Sequence, residues 1–310
     1  MPLSISRRQA LTTATAALLT ARTASLIAND KTPPSKTHIA TNTYPWRTFA
    51  RRAGQSYQRH TDQLLQNIAS TGIVGYEPII DSPTELDGLG DRLTKHGLYM
   101  RSIYVNSVLH DTAKVDQSVA AAMAIAKRVR DLGTSIVVTN PSPIRWGGDE
   151  DKDDSQLRFQ AKSLDELGSE LRKLGLTLAY HNHDAELRNG AREFHHMLTA
   201  TKQENVKFCL DSHWVFRGCG DSEVAVLDAL DHYRDRIVEL HLRQSTNGVW
   251  TEAFAMQGDV DYQAIFRRLH ESNIHPHLVL EQAIEQKSPN KLSATQAHKQ
   301  GQRNLTKAIS

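Results

Sequence analysis

The chain has 310 residues, with 37 Lys and Arg against 35 Asp and Glu, a formal net charge of +2 and 39% hydrophobic residues. That share of apolar residues suffices for one large α/β barrel or two smaller domains, and the near balance of charge gives little long-range pull on nucleic acid or acidic membranes. The two cysteines, Cys209 and Cys219, argue against a disulfide framework.

Residues 1–36 read as an address and a linker. Ser6-Arg7-Arg8-Gln9-Ala10-Leu11 precedes a mildly apolar stretch to about Leu26, followed by Asn29-Asp30-Lys31 and Pro33-Pro34. This order of basic, apolar and polar segments resembles a twin-arginine export signal, which implies the twin-arginine export machinery as a partner and a periplasmic or otherwise exported location. Arg22 interrupts the apolar stretch and argues against a stable membrane span.

From residue 37 to 310 the chain reads as one domain. A strand is predicted at 38–44, then a helix over 57–70 from the spacing of Leu64, Leu65 and Ile68, closed by Gly72. A second strand at 75–80, a helix over 86–96, and a third strand at 98–105 follow. The Ala-rich segment 115–132 predicts a helix ending at Gly133, before a β-branched strand at 135–139. Residues 147–154 read as a solvated acidic loop. Leu157, Leu164, Leu167, Leu171 and Leu174 give residues 155–174 one broad apolar helical face. Strands are predicted again at 176–181, 206–211, 237–241 and 277–281, and the polar end of the chain leaves room for a closing helix. Strands alternating with helices predict parallel pairing, and eight such units predict a single (β/α)8 TIM barrel, with a doubly wound sheet as the alternative. The chain carries neither a P-loop nor a G-x-G-x-x-G phosphate-cradling turn.

The last four strands end on His181, Asp211, His241 and Glu281, spaced by 30, 30 and 40 residues. In a barrel the C-terminal strand ends share one mouth, so these two imidazoles and two carboxylates suit one divalent metal ion. Such mixed ligation accommodates Mn, Zn, Co, Fe, Ni or Mg. Strand parity puts His183, His213 and Arg243 on the same sides as His181, Asp211 and His241, in a tier nearer the opening, with His183 as an alternative ligand to His181.

Tyr180-His181-Asn182-His183-Asp184, Leu210-Asp211-Ser212-His213, Glu239-Leu240-His241-Leu242-Arg243 and Leu280-Glu281-Gln282 resemble the sugar phosphate isomerase/epimerase family, the xylose-isomerase-like TIM barrels, over roughly residues 37–285. The resemblance implies a divalent ion held from the fifth to eighth strands, with Asp211, His241 and Glu281 matching the last three ligands. Where the family's ketose epimerases carry Glu on the fifth strand, this chain has His181. That departure weakens two-sided proton exchange and makes the chain similar to the inosose dehydratases of the same superfamily. The expected function is a metal-dependent enzyme acting on a carbohydrate, whether a sugar, oxo-sugar or cyclitol, by isomerase- or epimerase-like proton transfer next to a carbonyl. The alternatives are a lyase or hydrolase-like cleavage of a 3-oxo-glycoside or inosose, and a noncatalytic sugar-binding barrel. Glu281 is the candidate base, His183 and His213 the proton carriers, and Arg217, Arg243, Glu77 and Trp250 the substrate contacts. Related AP-site endonucleases carry an extra Asp-x-His pair after strand seven; residues 251–262 lack it, which, with the balanced charge, argues against nucleic acid as a partner.

Overall fold

The computed structural model describes residues 38–309, so the expected export segment with Arg7 and Arg8 lies outside the described residues. Among the described residues no helix is long and apolar enough to cross a membrane.

The strands are β1 (Ile39–Asn42), β2 (Gly75–Glu77), β3 (Ser102–Tyr104), β4 (Ile136–Thr139), β5 (Thr177–His181), β6 (Val206–Asp211), β7 (Ile237–Leu242) and β8 (His277–Leu280). All eight pair in parallel, in the order β2-β1-β8-β7-β6-β5-β4-β3. The seam between β2 and β3 is closed by the bridges Gly75↔Tyr99 and Ile79↔Tyr104 rather than by a full ladder. The result is a nearly closed (β/α)8 barrel. Its strands are buried on both faces, which is why they read as continuous apolar runs rather than as alternating patterns.

The helices start where the sequence supplies caps. Helix Asp154–Lys173 begins at Asp153, which accepts from Gln156 N while the Gln156 side chain accepts from Asp153 N, and Leu157, Leu164, Leu167 and Leu171 are buried along its inner face. Two caps start a helix directly at a strand end, and the first of them shortens a predicted strand. Asn42 accepts from Tyr44 N at 2.7 Å and starts helix Thr43–Arg52, so the first strand stops at Asn42 rather than at residue 44. Asp211 does the same for helix Ser212–Gly218, accepting from Trp214 N at 2.9 Å. Gly218 lets that helix lie against the turn after β5, because a Cβ there would stand 2.6 Å from Leu187 Cβ. Cys209 is buried, Cys219 partly so, and both are free thiols.

Candidate active site

The ends of β5 to β8 bring one donor atom from each of His181, Asp211, His241 and Glu281 within 4.8 Å of one another. His181 closes β5, and Asp211 closes β6 with its two oxygens divided between tasks. Oδ1 caps the following helix, while Oδ2 has no hydrogen-bond partner and stands 3.8 Å from His181 Nε2. His241 Nδ1 is 3.3 Å from Glu281 Oε2, and the His181 and His241 rings are 4.6 Å apart.

These groups are deeply buried, and several are unpaired. His181 is 1% exposed, yet neither of its ring nitrogens has a partner. A buried polar atom left unpaired costs about 1–3 kcal/mol, so a ligand that engages His181 and Asp211 Oδ2 would remove a real penalty. Burial, reinforced by His241 and His183, holds the His181 pKa well below its ordinary value, which keeps the imidazole in the neutral form that ligates. Burial raises Asp211 to about 6 against the pull of Arg243. Burial also pushes the Glu281 carboxyl up, but His241 and Arg243 outweigh it and leave it below the usual range. Two neutralisable imidazoles and two carboxylates with unsatisfied lone pairs fit a divalent ion of the borderline type.

A second layer lies beneath His241. Glu77 Oε1 stands 3.0 Å from His241 Nε2 and accepts from Asn42 Nδ2 at 2.6 Å, while its Oε2 accepts from Ser102 Oγ at 2.7 Å. Glu239 Oε1 is 3.2 Å from the same His241 nitrogen. With Nε2 directed at carboxylates, Nδ1 is the nitrogen left on the Glu281 side, the arrangement that fixes a ligating tautomer. Burial opposes charge on His241, but the Cys209 sulfur, Glu77 and Glu281 outweigh it and raise the imidazole well above its ordinary value. Burial lifts Glu77 as well, but His241 brings it down to about 2, whereas burial and the Glu77 charge push Glu239 up to about 8.

Above the four donors sits Arg243, 1% exposed. Its Nη2 is 2.7 Å from Glu281 Oε2, its Nε donates to Glu281 O at 3.1 Å, and Nη1 is buried without a partner. The guanidinium carbon lies 4.9 Å from the Trp214 ring centroid and 4.4 Å from that of Trp250, a cation–π cradle that fixes the charge beside the donor cluster.

The structure changes four expectations. Glu77 does not line the mouth: it points into the barrel interior, with both oxygens taken by Asn42, Ser102 and His241. Strand parity fails for His213, because the chain turns helical at Ser212; its Nε2 is 2.8 Å from Ser245 Oγ, which donates to Asp259 Oδ2 at 2.6 Å. That chain of bonds ties His213 to the hairpin of Ser245–Thr246 and Val249–Trp250 instead of to a proton-carrying tier. Arg217 pairs with both oxygens of Glu285, at 3.1 and 2.9 Å, and lies 4.6 Å from the Trp250 centroid. Trp250, 5% exposed and carrying two guanidinium groups, therefore supports Arg243 rather than offering a face to a sugar. His183 does stand over His181, ring centroids 4.7 Å apart, and its Nδ1 is unpartnered; burial lowers its pKa to about 4.

Several residues that shape the site were given no role in it from the sequence. Asn182 exchanges bonds with the Asp211 backbone, Nδ2 to O at 3.0 Å and Asp211 N to Oδ1 at 3.1 Å, so it splices the end of β5 to that of β6. Glu186 accepts from His183 N at 2.6 Å and from Asn140 Nδ2 at 3.0 Å, which holds the turn after β5 in place. Glu239 lies two residues before His241, and strand parity alone would have found it.

A parallel barrel with a mixed imidazole and carboxylate cluster at its C-terminal mouth defines a class of metal-competent barrel proteins. The sequence profile of the xylose isomerase-like TIM barrel matches residues 65–308, and the chain belongs to that family. It is similar to the inosose dehydratase of Clostridium perfringens, 22% identical over 248 residues, covering 71% of this chain and 81% of the relative. The fold is similar to a sugar phosphate isomerase/epimerase from Parabacteroides distasonis, with TM-score 0.67, 15% identity and coverage of 86% of this chain and 93% of the other. It is also similar to the 3-keto-D-glucoside 4-epimerase of E. coli, with TM-score 0.60, 16% identity and coverage of 88% and 99%. The relatives named are a dehydratase, an isomerase/epimerase and an epimerase, all similar to this chain across most of their length.

Proposed function

We propose that this protein is a divalent-metal-dependent enzyme that removes the proton beside the carbonyl of an unphosphorylated oxo-sugar or cyclitol, after which a β-substituent leaves. The observation that carries the reading is the asymmetry of the four-donor cluster. Glu281 supplies a carboxylate on the β8 side, while β5 supplies the imidazoles His181 and His183 where two-sided exchange needs a second carboxylate base. His181, Asp211, His241 and Glu281 would hold the ion. An ion bound there supplies Lewis acidity, drawing electron density from the carbonyl and acidifying the neighbouring C–H.

The protein's own groups perform the proton movements. The polar contacts of the Glu281 carboxylate fall on Oε2, which stands 3.3 Å from His241 Nδ1 and accepts from Arg243 Nη2, and this leaves Oε1 to take the α-proton. As a carboxylic acid, Glu281 then returns that proton to the departing oxygen on the same face: the α-C–H and β-C–O bonds break, a C=C bond forms, and the leaving group departs as water or an alcohol. His183, neutral near pH 7, accepts a hydrogen bond from a substrate hydroxyl through Nδ1, and Arg243 Nη1 donates to a substrate oxygen. Arg243 and Arg217 already hold carboxylates, Arg243 with Glu281 and Arg217 with Glu285, which supports a neutral sugar over a sugar phosphate.

A second reading, isomerase- or epimerase-like return of the proton to carbon, draws on the unpartnered Nδ1 of His183 as a group on the other strand wall. The test is incubation of metal-loaded protein with 3-oxo-glycosides, inososes and ketoses, followed by mass spectrometry and NMR. Loss of water or of an aglycone supports the lyase, isomers alone support the second reading, and unchanged substrates with bound ion would leave a binding barrel. The order of residues 6–31 supports export by the twin-arginine route, which a double Arg7→Lys, Arg8→Lys variant retained in the cytoplasmic fraction would bear out.

A further inference from the structure

Beyond the donor cluster the mouth carries an aromatic group that the chemistry above does not use. Among the described residues the exposed large hydrophobics are Val74, Ile144, Trp146 and Val224, and two of these four sit on the loop that follows β4. Trp146 is 54% exposed, and its ring meets the His183 ring at 5.1 Å in a T-shaped contact. From the cluster outward the rings form steps, His241 to His181 at 4.6 Å, His181 to His183 at 4.7 Å, and His183 to Trp146 at 5.1 Å. A reacting sugar ring held against His181 and Glu281 reaches His183; Trp146 lies one ring further out.

The position of Trp146 is built. Arg188 Nη2 donates to Gly148 O at 2.9 Å, Arg145 pairs with Glu150 at 3.2 Å, and buried Lys152 donates to Pro141 O at 3.3 Å while pairing with Glu193 at 2.6 Å. The two cations of the loop are thereby paired, and the loop side chain that meets the His183 ring is the Trp146 indole.

We propose that Trp146 is the platform for a second ring, and that the substrate is a glycoside in which the reacting oxo-sugar carries a further sugar or aryl ring. This deepens the reading of the site as an oxo-sugar enzyme and rests on it for the reacting ring. Stacking of a ring on an indole face is favourable by dispersion and by the polarised C–H groups of a sugar, and an exposed Trp beside a polar cleft is placed for that contact.

Two measurements on the wild type and on Trp146→Ala test it, the variant being chosen because the side chain is exposed and contributes little to the core. The first is tryptophan emission on titration with cellobiose or with glucose, neither of which carries the ring ketone that the proposed reaction needs. Of the four tryptophans Trp146 is the exposed one, so a blue shift with cellobiose that is absent with glucose and lost in the variant is the expected result. The second compares 3-oxo-cellobiose with 3-oxo-glucose as substrates. KM for the two-ring compound rises about 3- to 10-fold in the variant, with kcat little changed and the one-ring compound unaffected. Absence of the emission shift, or equal losses on both substrates, overturns the proposal. If the shift is present but no oxo-sugar reacts, the platform stands and the catalytic reading falls; if oxo-sugars react but the variant treats both alike, the catalytic reading stands and the platform falls.

Discussion

Glu77→Gln probes how the barrel interior sets up the ligand His241. The wild-type carboxylate is held by Asn42 and Ser102 and faces His241 Nε2 at 3.0 Å. The amide is isosteric, its oxygen still accepts from Asn42 and His241, and Ser102 can rotate to accept from its NH2, so the substitution removes charge while keeping the contacts. Removing a group that orients a metal-bound imidazole costs about 10- to 100-fold in metal affinity, equivalent to about 1.4–2.7 kcal/mol. Because the hydrogen bond persists, Glu77→Gln is expected near the lower end, about 10-fold, and Glu77→Ala, which leaves Asn42 Nδ2 and Ser102 Oγ unpaired and His241 Nε2 with Glu239 alone, nearer about 100-fold. The assay is isothermal titration of metal-stripped protein with Zn, Mn and Co, with circular dichroism to verify that the barrel is intact. A folded Glu77→Ala variant that binds all three ions within about twofold of wild type would refute the reasoning, since the second layer would then have no hold on the site.

Asp211→Asn keeps an N-cap, because Asn accepts from Trp214 N as Asp does, but removes a charged donor; metal binding is lost in titration while the melting temperature of the metal-free protein stays within about 2 °C. Arg243→Met removes the 2.7 Å partner of the buried Glu281 carboxylate and leaves it His241 alone, a loss of about 3–5 kcal/mol that should lower the melting temperature in EDTA by at least about 6 °C and is read by calorimetry. His38 and His298 both have pKa values lowered to about 4, mainly by burial, from 6.5. The unfolded chain therefore takes up their protons first, so stability is full above about pH 6.5, falls as pH drops toward about 4 and levels off below, by about 3 kcal/mol per histidine. His298→Gln should flatten that slope in a melting-temperature series against pH.

The barrel was legible because its signals are periodic and local: Leu157 to Leu171 announces a helix, and Ile136-Val137-Val138 a buried strand. The convergence of His181, Asp211, His241 and Glu281 was legible because strand ends in a parallel barrel share one mouth. What failed was the extension of strand geometry past the caps. Asn42 and Asp211 each start a helix at once, so Tyr44 left the predicted strand and His213 left the side of Asp211. Pairings between distant segments were also hidden: nothing local shows that Arg217 meets Glu285, that Glu77 meets His241, or that Trp214 and Trp250 enclose Arg243. Such contacts depend on the closure of the barrel, which spacing alone does not encode.

The central claim, that His181, Asp211, His241 and Glu281 hold an ion so that Glu281 removes a proton beside a carbonyl, is tested most directly by hydrogen exchange. Metal-loaded protein and a 3-oxo-glucoside in D2O are followed by proton NMR. Loss of the α-proton signal or conversion to an unsaturated ketone is expected, abolished both by EDTA and by Glu281→Gln. A metal-loaded wild type that leaves the α-protons of every oxo-sugar in place, or exchange that continues undiminished in Glu281→Gln, would contradict it.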